Sequence, residues 1–400
     1  MKAASQPIQR ARDAKLLVIR RAGSIEHWPR SELVELLEPG DLLIANDAAT
    51  LPASLAGIHV PTGRSIEVRL AGRRSLEPTD VGRFLAVIFG TGDFRTRTED
   101  RPPPPVLSPG DLIQLGPLQA TIERLENHPR LVQLRFDGST AQIWSGLARH
   151  GNPIQYAHVR QPLALWDVWT PIAGPIAAFE PPSAGFTLSW EMLSAMTAKG
   201  VEFATLTHAA GISSTGDPHL DARLPFDEPY RIPAYTAAAI ARAKERRARV
   251  IAMGTTVVRA LEDAAQSEGG VTPGTGLSTQ KIGPTTRLRI VDALVSGTHE
   301  RGTSHYELLR AFLPSETLEH MEQQLESQHY RTHEFGDSIL VEKAAPLETF
   351  TSQDSILVEK TPEPLDTSTS QTPPAEMRHS YAASAYAHPR PRGNDPDCPR

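Results

Sequence analysis

Apolar and polar positions alternate in two different textures along this chain. Between Gly57 and about Asp137, short β-prone runs recur: Ser65 to Leu70, Phe84 to Phe89, Asp111 to Leu115, Ala120 to Leu125 and Leu131 to Phe136. Glycine, proline and charged turns separate them. That spacing predicts a small antiparallel barrel or sandwich. Outside this block, short apolar runs alternate with helical periodicity. Leu16 to Ile19, Leu42 to Ala45, Val201 to Thr207, Val250 to Met253, Arg287 to Leu294 and Gly336 to Val341 read as strands. Ser31 to Leu37, Leu188 to Lys199, Tyr235 to Arg247, Val257 to Ala265, Ser304 to Phe312 and Glu316 to Gln328 read as helices. Strands alternating with helices predict an α/β fold, with a mainly parallel sheet covered by helices and ligands at the strand C-terminal edges.

The most informative stretch is Arg249 to Glu262. A buried-strand run, Val250 to Met253, meets Gly254, and Thr255 and Thr256 then open a helix. Free N–H groups at a helix start attract anions, and the helix dipole adds to this. Arg259 lies about one turn in and offers a charged donor. An ordinary strand–helix unit with a threonine cap has the same pattern. Asn46 and Asp47 end the second strand, where a strand meets its loop. His208 to Ile232 is a long segment rich in Gly, Ser, Pro and acids; such a loop in a compact domain is usually functional.

Composition narrows the setting. The net charge is −6, which disfavours a generic nucleic-acid binder. Six basic and nine acidic side chains lie between Val341 and Arg400, so half of that excess belongs to the tail. Arginine clusters at Arg69, Arg73 and Arg74 and from Arg242 to Arg249 could still meet phosphates. The single cysteine, Cys398, allows no internal disulfide. No apolar run suits a signal or a membrane span, so a cytoplasmic protein is expected. Asp337 to Lys343 recurs word for word at Asp354 to Lys360, a local duplication. The Pro-, Ser-, Thr- and Ala-rich tail, 344–400, is expected to be disordered. His329 and His333 have helix-face spacing, but no cysteine or second pair supports a metal there.

The order of motifs resembles the S-adenosylmethionine:tRNA ribosyltransferase-isomerase family of queuosine biosynthesis. It is carried by Asp41-Leu-Leu-Ile-Ala-Asn-Asp47, Leu51-Pro-Ala-Ser-Leu-Ala-Gly57, Pro182-Ser-Ala-Gly185 and Lys199-Gly-Val-Glu202. Val250 to Glu262, Val291-Asp-Ala-Leu-Val295 with His299, Tyr330-Arg331 and Gly336-Asp337 complete it. The resemblance implies an α/β catalytic domain from both chain ends (1–56 and 146–343) with an inserted barrel at 57–145. It also implies transfer and isomerisation of the ribosyl part of S-adenosylmethionine onto 7-aminomethyl-7-deazaguanine in tRNA, giving epoxyqueuosine. S-adenosylmethionine is then a substrate, tRNA the partner, no metal is needed, and a monomer is expected. The implied catalytic residues are Glu228, as base or acid, and His299, as proton donor. Asn46, Asp47, Ser183, Gly185, Gly254, Thr255, Thr256, Arg259 and Asp292 are the implied substrate-binding residues. Some positions depart from the family pattern. Ala48-Ala49 replace Thr-Arg, Thr187 replaces a histidine, and Phe226-Asp-Glu228 replaces His-Ser-Glu. Gly297-Thr-His299 replaces Asn-Phe-His. Two other readings stay open: a non-catalytic RNA- or nucleotide-binding relative, and a same-fold transferase with a different acceptor.

Overall fold

A computed structural model describes residues 1–7, 14–266 and 270–344. The expected tail beyond Ala344, including the second copy of the duplicated segment, lies outside the described residues.

The strands of the α/β part are β1 (Lys15–Ile19), β2 (Ile25–Pro29) and β3 (Leu42–Asn46). After them come six barrel strands: β4 (Ser54–His59), β5 (Arg64–Gly72), β6 (Arg83–Phe89), β7 (Leu112–Leu115), β8 (Leu118–Leu125) and β9 (Leu131–Phe136). The chain returns to the sheet with β10 (Glu202–His208), β11 (Glu228–Ile232), β12 (Val250–Met253), β13 (Gly274–Ser278), β14 (Ala293–Gly297) and β15 (Ser338–Glu342). Among the described residues the sheet order is β13-β11-β10-β3-β12-β14-β15-β1-β2. Its centre is parallel: β10, β3, β12 and β14 run together. β15 also runs parallel to β1. Both flanks and the β14–β15 step are antiparallel. The sheet is therefore mixed, with parallel pairing through its centre and again between β15 and β1.

Alternation along the central strands divides the core in two. Leu42, Ile44, Val250, Ala252 and Leu294 face α3 (Ala234–Glu245), α4 (Thr255–Ala264) and α6 (Ser315–Ser327). Leu43, Ala45, Ile251, Met253 and Val295 face the other way, against the 3-10 helix Arg30–Leu36 and α2 (Trp190–Lys199). Period-2 side chains with apolar residues on both faces are what a doubly covered sheet requires.

Some elements differ from the pattern. The expected strand at Arg287 to Leu294 begins only at Ala293. Upstream, the Glu262 carboxylate accepts from the N–H groups of Arg289, Ile290 and Val291 at 2.7, 3.0 and 2.9 Å. Those donors are therefore not in a ladder. A helix, α1 (Thr140–His150), follows the barrel, where the sequence pattern predicted no element. Ser139 and Gln142 close a capping box at its start.

The six barrel strands close in the order β8-β9-β6-β5-β4-β7. The barrel's core continues into the α/β part. Ala209, Ala210, Ile212, Leu220 and Leu224 are buried in the same apolar cluster as Phe84, Phe89 and Leu134. Each large apolar side chain so buried contributes about 2 kcal/mol. The barrel thus anchors the segment between β10 and β11, which was expected to be a long loop. That segment also holds a one-turn helix, Pro218–Asp221, capped by Asp217.

Candidate active site

A cleft of about 970 Å³ opens at the C-terminal edge of the central strands. The sheet contributes Gly254, after β12, and Ser296, in β14. Glu228 belongs to the same edge, because β11 runs antiparallel to β10 and begins where β10 ends. The barrel loop closes one side with Arg97 to Glu99. A buried guanidinium braces that loop: Arg101 pairs with Glu67 and donates to the Gly90 and Gly92 carbonyls at 2.9 and 2.8 Å.

Gly254 starts α4 with φ at +101°, a backbone conformation that L side chains rarely adopt. No side chain caps this helix. The helix start, Gly254 to Thr256, lines the cleft; the Gly254 N–H donates to the Val295 carbonyl at 2.8 Å, and the first N–H groups of the helix, those of Thr255 and Thr256, are left for a ligand. An anion is the natural occupant of such a position.

Arg259 also lines the cleft, but its guanidinium is spent. It pairs with Glu228 and donates to the carbonyls of Ser278 at 3.0 Å and Phe226 at 3.3 Å. Only 4% of Arg259 and 4% of Glu228 is exposed, so this is a buried ion pair. The other Glu228 oxygen accepts from the Gly211 N–H at 2.6 Å. Gly211 must be a glycine for this: a Cβ there would sit 2.7 Å from that oxygen. Burial pushes the Glu228 carboxyl up, and the Arg259 charge pulls it the other way. His208 lies fully buried with Nε2 3.5 Å from Glu228. Neither of its ring nitrogens has a hydrogen-bond partner among the described residues. Burial, then the Arg259 charge, holds its pKa well below the usual histidine value.

His299 meets Ser296 Oγ at 2.8 Å and stacks on His305 at 4.7 Å. Burial first, then the neighbouring imidazoles, depresses His299 well below its ordinary pKa, so its ring is neutral near pH 7. Burial likewise lowers His305 to about 4. Glu180 holds Tyr156 OH at 2.5 Å and the Ser213 N–H at 3.1 Å. Burial raises its carboxyl to about 7. This is an acid that can carry a proton at neutral pH inside the cleft.

Of the residues singled out from sequence, Glu228, His299, Ser183, Gly254, Thr255, Thr256 and Arg259 line this one cleft. The others do not. Asn46 lies just behind it: its side chain bridges the His208 carbonyl at 3.0 Å and Thr256 Oγ1 at 3.3 Å, joining two elements of the site. Asp47 accepts from the hydroxyls of Thr205 and Thr207 at 2.9 and 2.7 Å, away from the cleft. Gly185 packs on Thr170, where a Cβ would come within 2.9 Å of a methyl. Asp292 is at the opposite edge of the sheet. It accepts from Val250 N at 2.9 Å and from Lys244 Nζ at 3.0 Å, so it terminates β12 rather than binding at its C-terminal end. Sequence reasoning missed Tyr156, Glu180, His305 and the Gly211 N–H. Only Glu180 carried a signal, its closeness to the Pro182-Ser-Ala-Gly185 motif.

A family model described as a queuosine biosynthesis protein matches residues 1–341. An S-adenosylmethionine:tRNA ribosyltransferase-isomerase of Thermosynechococcus vestitus is 32% identical over 352 residues, covering 84% of this chain and 92% of its own. One of Pelobacter propionicus is 33% identical over 340 residues, covering 82% and 92%. A crystal structure of an S-adenosylmethionine tRNA ribosyltransferase from Thermotoga maritima is similar at 23% identity and a TM-score of 0.45, covering 84% of this chain and 95% of that one.

Proposed function

The chain belongs to the queuosine biosynthesis protein family, and on that premise we propose that it is an S-adenosylmethionine:tRNA ribosyltransferase-isomerase. It moves the ribosyl part of S-adenosylmethionine to the aminomethyl group of 7-aminomethyl-7-deazaguanine in tRNA. Adenine and methionine leave, and the product is epoxyqueuosine. The observation that carries this reading is one cleft holding three features: an uncapped helix start, a buried carboxylate and a neutral imidazole pair.

The chemistry uses each of them. The sulfonium acidifies the adjacent ribose carbon, and Glu228 is the base that takes its proton. Gly211 and Arg259 hold Glu228 in place, so Arg259 acts as a positioning residue. The N–H groups and hydroxyls of Thr255 and Thr256 receive the methionine carboxylate. His299, neutral and therefore unable to give up a proton, steadies departing adenine by a hydrogen bond from its N–H, with Ser296 and His305 fixing its ring. A cleft walled by both barrel and sheet suits two large substrates held in one geometry. No helix among the described residues is long and apolar enough to cross a membrane. We take the acting species to be a monomer.

The test mixes the protein with S-adenosylmethionine and tRNA carrying the deazaguanine precursor. Adenine release and nucleoside mass are followed together. The reading expects one adenine per epoxyqueuosine formed. Tight S-adenosylmethionine binding with no adenine release on any tRNA would overturn it in favour of a binding relative.

A further inference from the structure

We propose that His158, His333 and Glu334 form a binding site for a divalent transition metal on the wall of the cleft, with one coordination position open to the cleft. The three side chains come from two segments far apart in sequence, and one donor atom from each lies within 4.8 Å of the other two. Around a tetrahedral ion with bonds of about 2.0–2.1 Å, neighbouring donors stand about 3.4 Å apart. His158 Nε2 and Glu334 Oε2, at 3.2 Å, already hold that spacing. His333 is 40% exposed on its side chain, and its ring has to turn out of its stack on His158 to bring its donor in.

His158 and Glu334 hydrogen-bond each other, a contact that a metal would replace, and the surroundings hold the rings in place. The Tyr156 ring lies parallel to His158 within 8°, and His333 stacks on His158 at 4.4 Å between ring centroids. Phe335, next to Glu334, is fully buried and stacked on Phe186. His333 has φ at +70°, a costly conformation for a residue other than glycine, and the Gly336 N–H holds its carbonyl at 2.8 Å. Among the described residues no hydrogen bond holds the His333 ring; the nearest carboxylate, Glu300, is 3.8 Å away. A stacked imidazole pair beside a carboxylate needs no metal to exist. It does not by itself explain a left-handed histidine whose ring is left unbonded next to a second donor pair.

Two imidazoles and one carboxylate suit zinc, cobalt(II), nickel(II) or iron(II) better than magnesium or calcium. Three protein ligands leave the fourth position to water or to a carboxylate or amine entering the cleft. The ribosyl transfer proposed above needs no metal, so this site is additional to that reaction, and its test does not depend on activity.

The experiment uses the full chain with Cys398→Ser, so that the tail thiol cannot bind metal, after chelator treatment and dialysis. Zinc(II) alone is titrated by calorimetry, and cobalt(II) alone is followed by its visible spectrum. One equivalent of zinc is expected to bind at micromolar concentration or tighter by order of magnitude. Cobalt should give weak visible bands of nitrogen and oxygen ligation. His158→Phe keeps a ring in the stack but removes its donor; with Glu334→Gln and His333→Asn it should weaken zinc at least about tenfold, with folding checked by melting. Zinc affinity unchanged in His158→Phe and in Glu334→Gln would overturn the site, as would no zinc binding by the starting protein up to millimolar concentration. The two smaller changes keep the test valid if one variant fails to fold.

Discussion

Glu228 is a charge that the fold has buried and then answered. Arg259 is its counter-ion, so removing either partner leaves the other alone in a dry place. Arg259→Ala should therefore cost about 3–5 kcal/mol of stability, read from urea unfolding, and not only substrate affinity. Adding Glu228→Gln should recover part of that loss, since the orphaned charge is gone. A melting curve for Arg259→Ala that matches wild type would show that the pair is not buried in solution. On activity, Glu228→Gln should slow adenine release at least about a hundredfold, the range for a lost general base. The pH profile adds a sign. Burial raises the Glu228 carboxyl above its ordinary value, and a base must be ionised. Adenine release should rise with pH along an acid limb that lies above the usual carboxylate range. A rate that is unchanged in Glu228→Gln would remove the residue from the mechanism.

At the scale of elements, the strand–glycine–helix unit at Val250 to Ala264 is the part that local sequence specifies most fully. Apolar run, turn and helix periodicity are all contiguous there, and the structure follows them closely. Gly254 is its weak point. A Cβ would find ordinary space, 3.5 Å from Ala184 Cβ, so the penalty of Gly254→Ala lies in the backbone, about 1–3 kcal/mol by denaturant midpoint. S-adenosylmethionine should also bind more weakly in that variant, because the helix start must tilt. Elements whose signal is not contiguous were misread. The α1 helix follows directly on barrel strands, and its apolar face, Ile143 and Leu147, packs on the barrel instead of the sheet. Arg287 to Ile290 is apolar enough for a strand, yet Glu262, from a different element, takes its N–H groups. Strand direction was illegible at the flanks because side-chain alternation is the same in parallel and antiparallel pairs. The edge strand Gly274–Ser278 has almost no β-branched or aromatic residues to announce it.

Across the whole molecule, the site divides the same way. Residues in motifs beside strand ends could be read from sequence. Tyr156, Glu180 and His333 come from irregular segments, and the barrel's packing brings those segments to the cleft. Gathering them there takes a set of titratable groups out of bulk water, His208 and Glu228 fully and Glu180, His299 and His305 in part, and this makes stability depend on pH in a definite direction. His208, His299 and His305 are all held below the ordinary histidine pKa by burial, His305 at about 4. In the unfolded chain each takes a proton near pH 6.5. Between about pH 6.5 and 4 the unfolded state therefore binds more protons, and stability from these rings is present above 6.5 and lost as pH falls. Glu180, at about 7, and Glu228 act in the opposite sense: their raised carboxyls favour the folded state once protonated, and that gain is lost as pH rises. The total slope mixes the two, so the comparison that isolates an imidazole is wild type against His305→Gln. Each ring can contribute up to about 1.4 kcal/mol per pH unit inside its window. The melting temperature of wild type should lose more than that of His305→Gln when both are taken from pH 7 to pH 5. Parallel melting curves over that range would mean that His305 protonates freely in the folded cleft and that solvent reaches the ring.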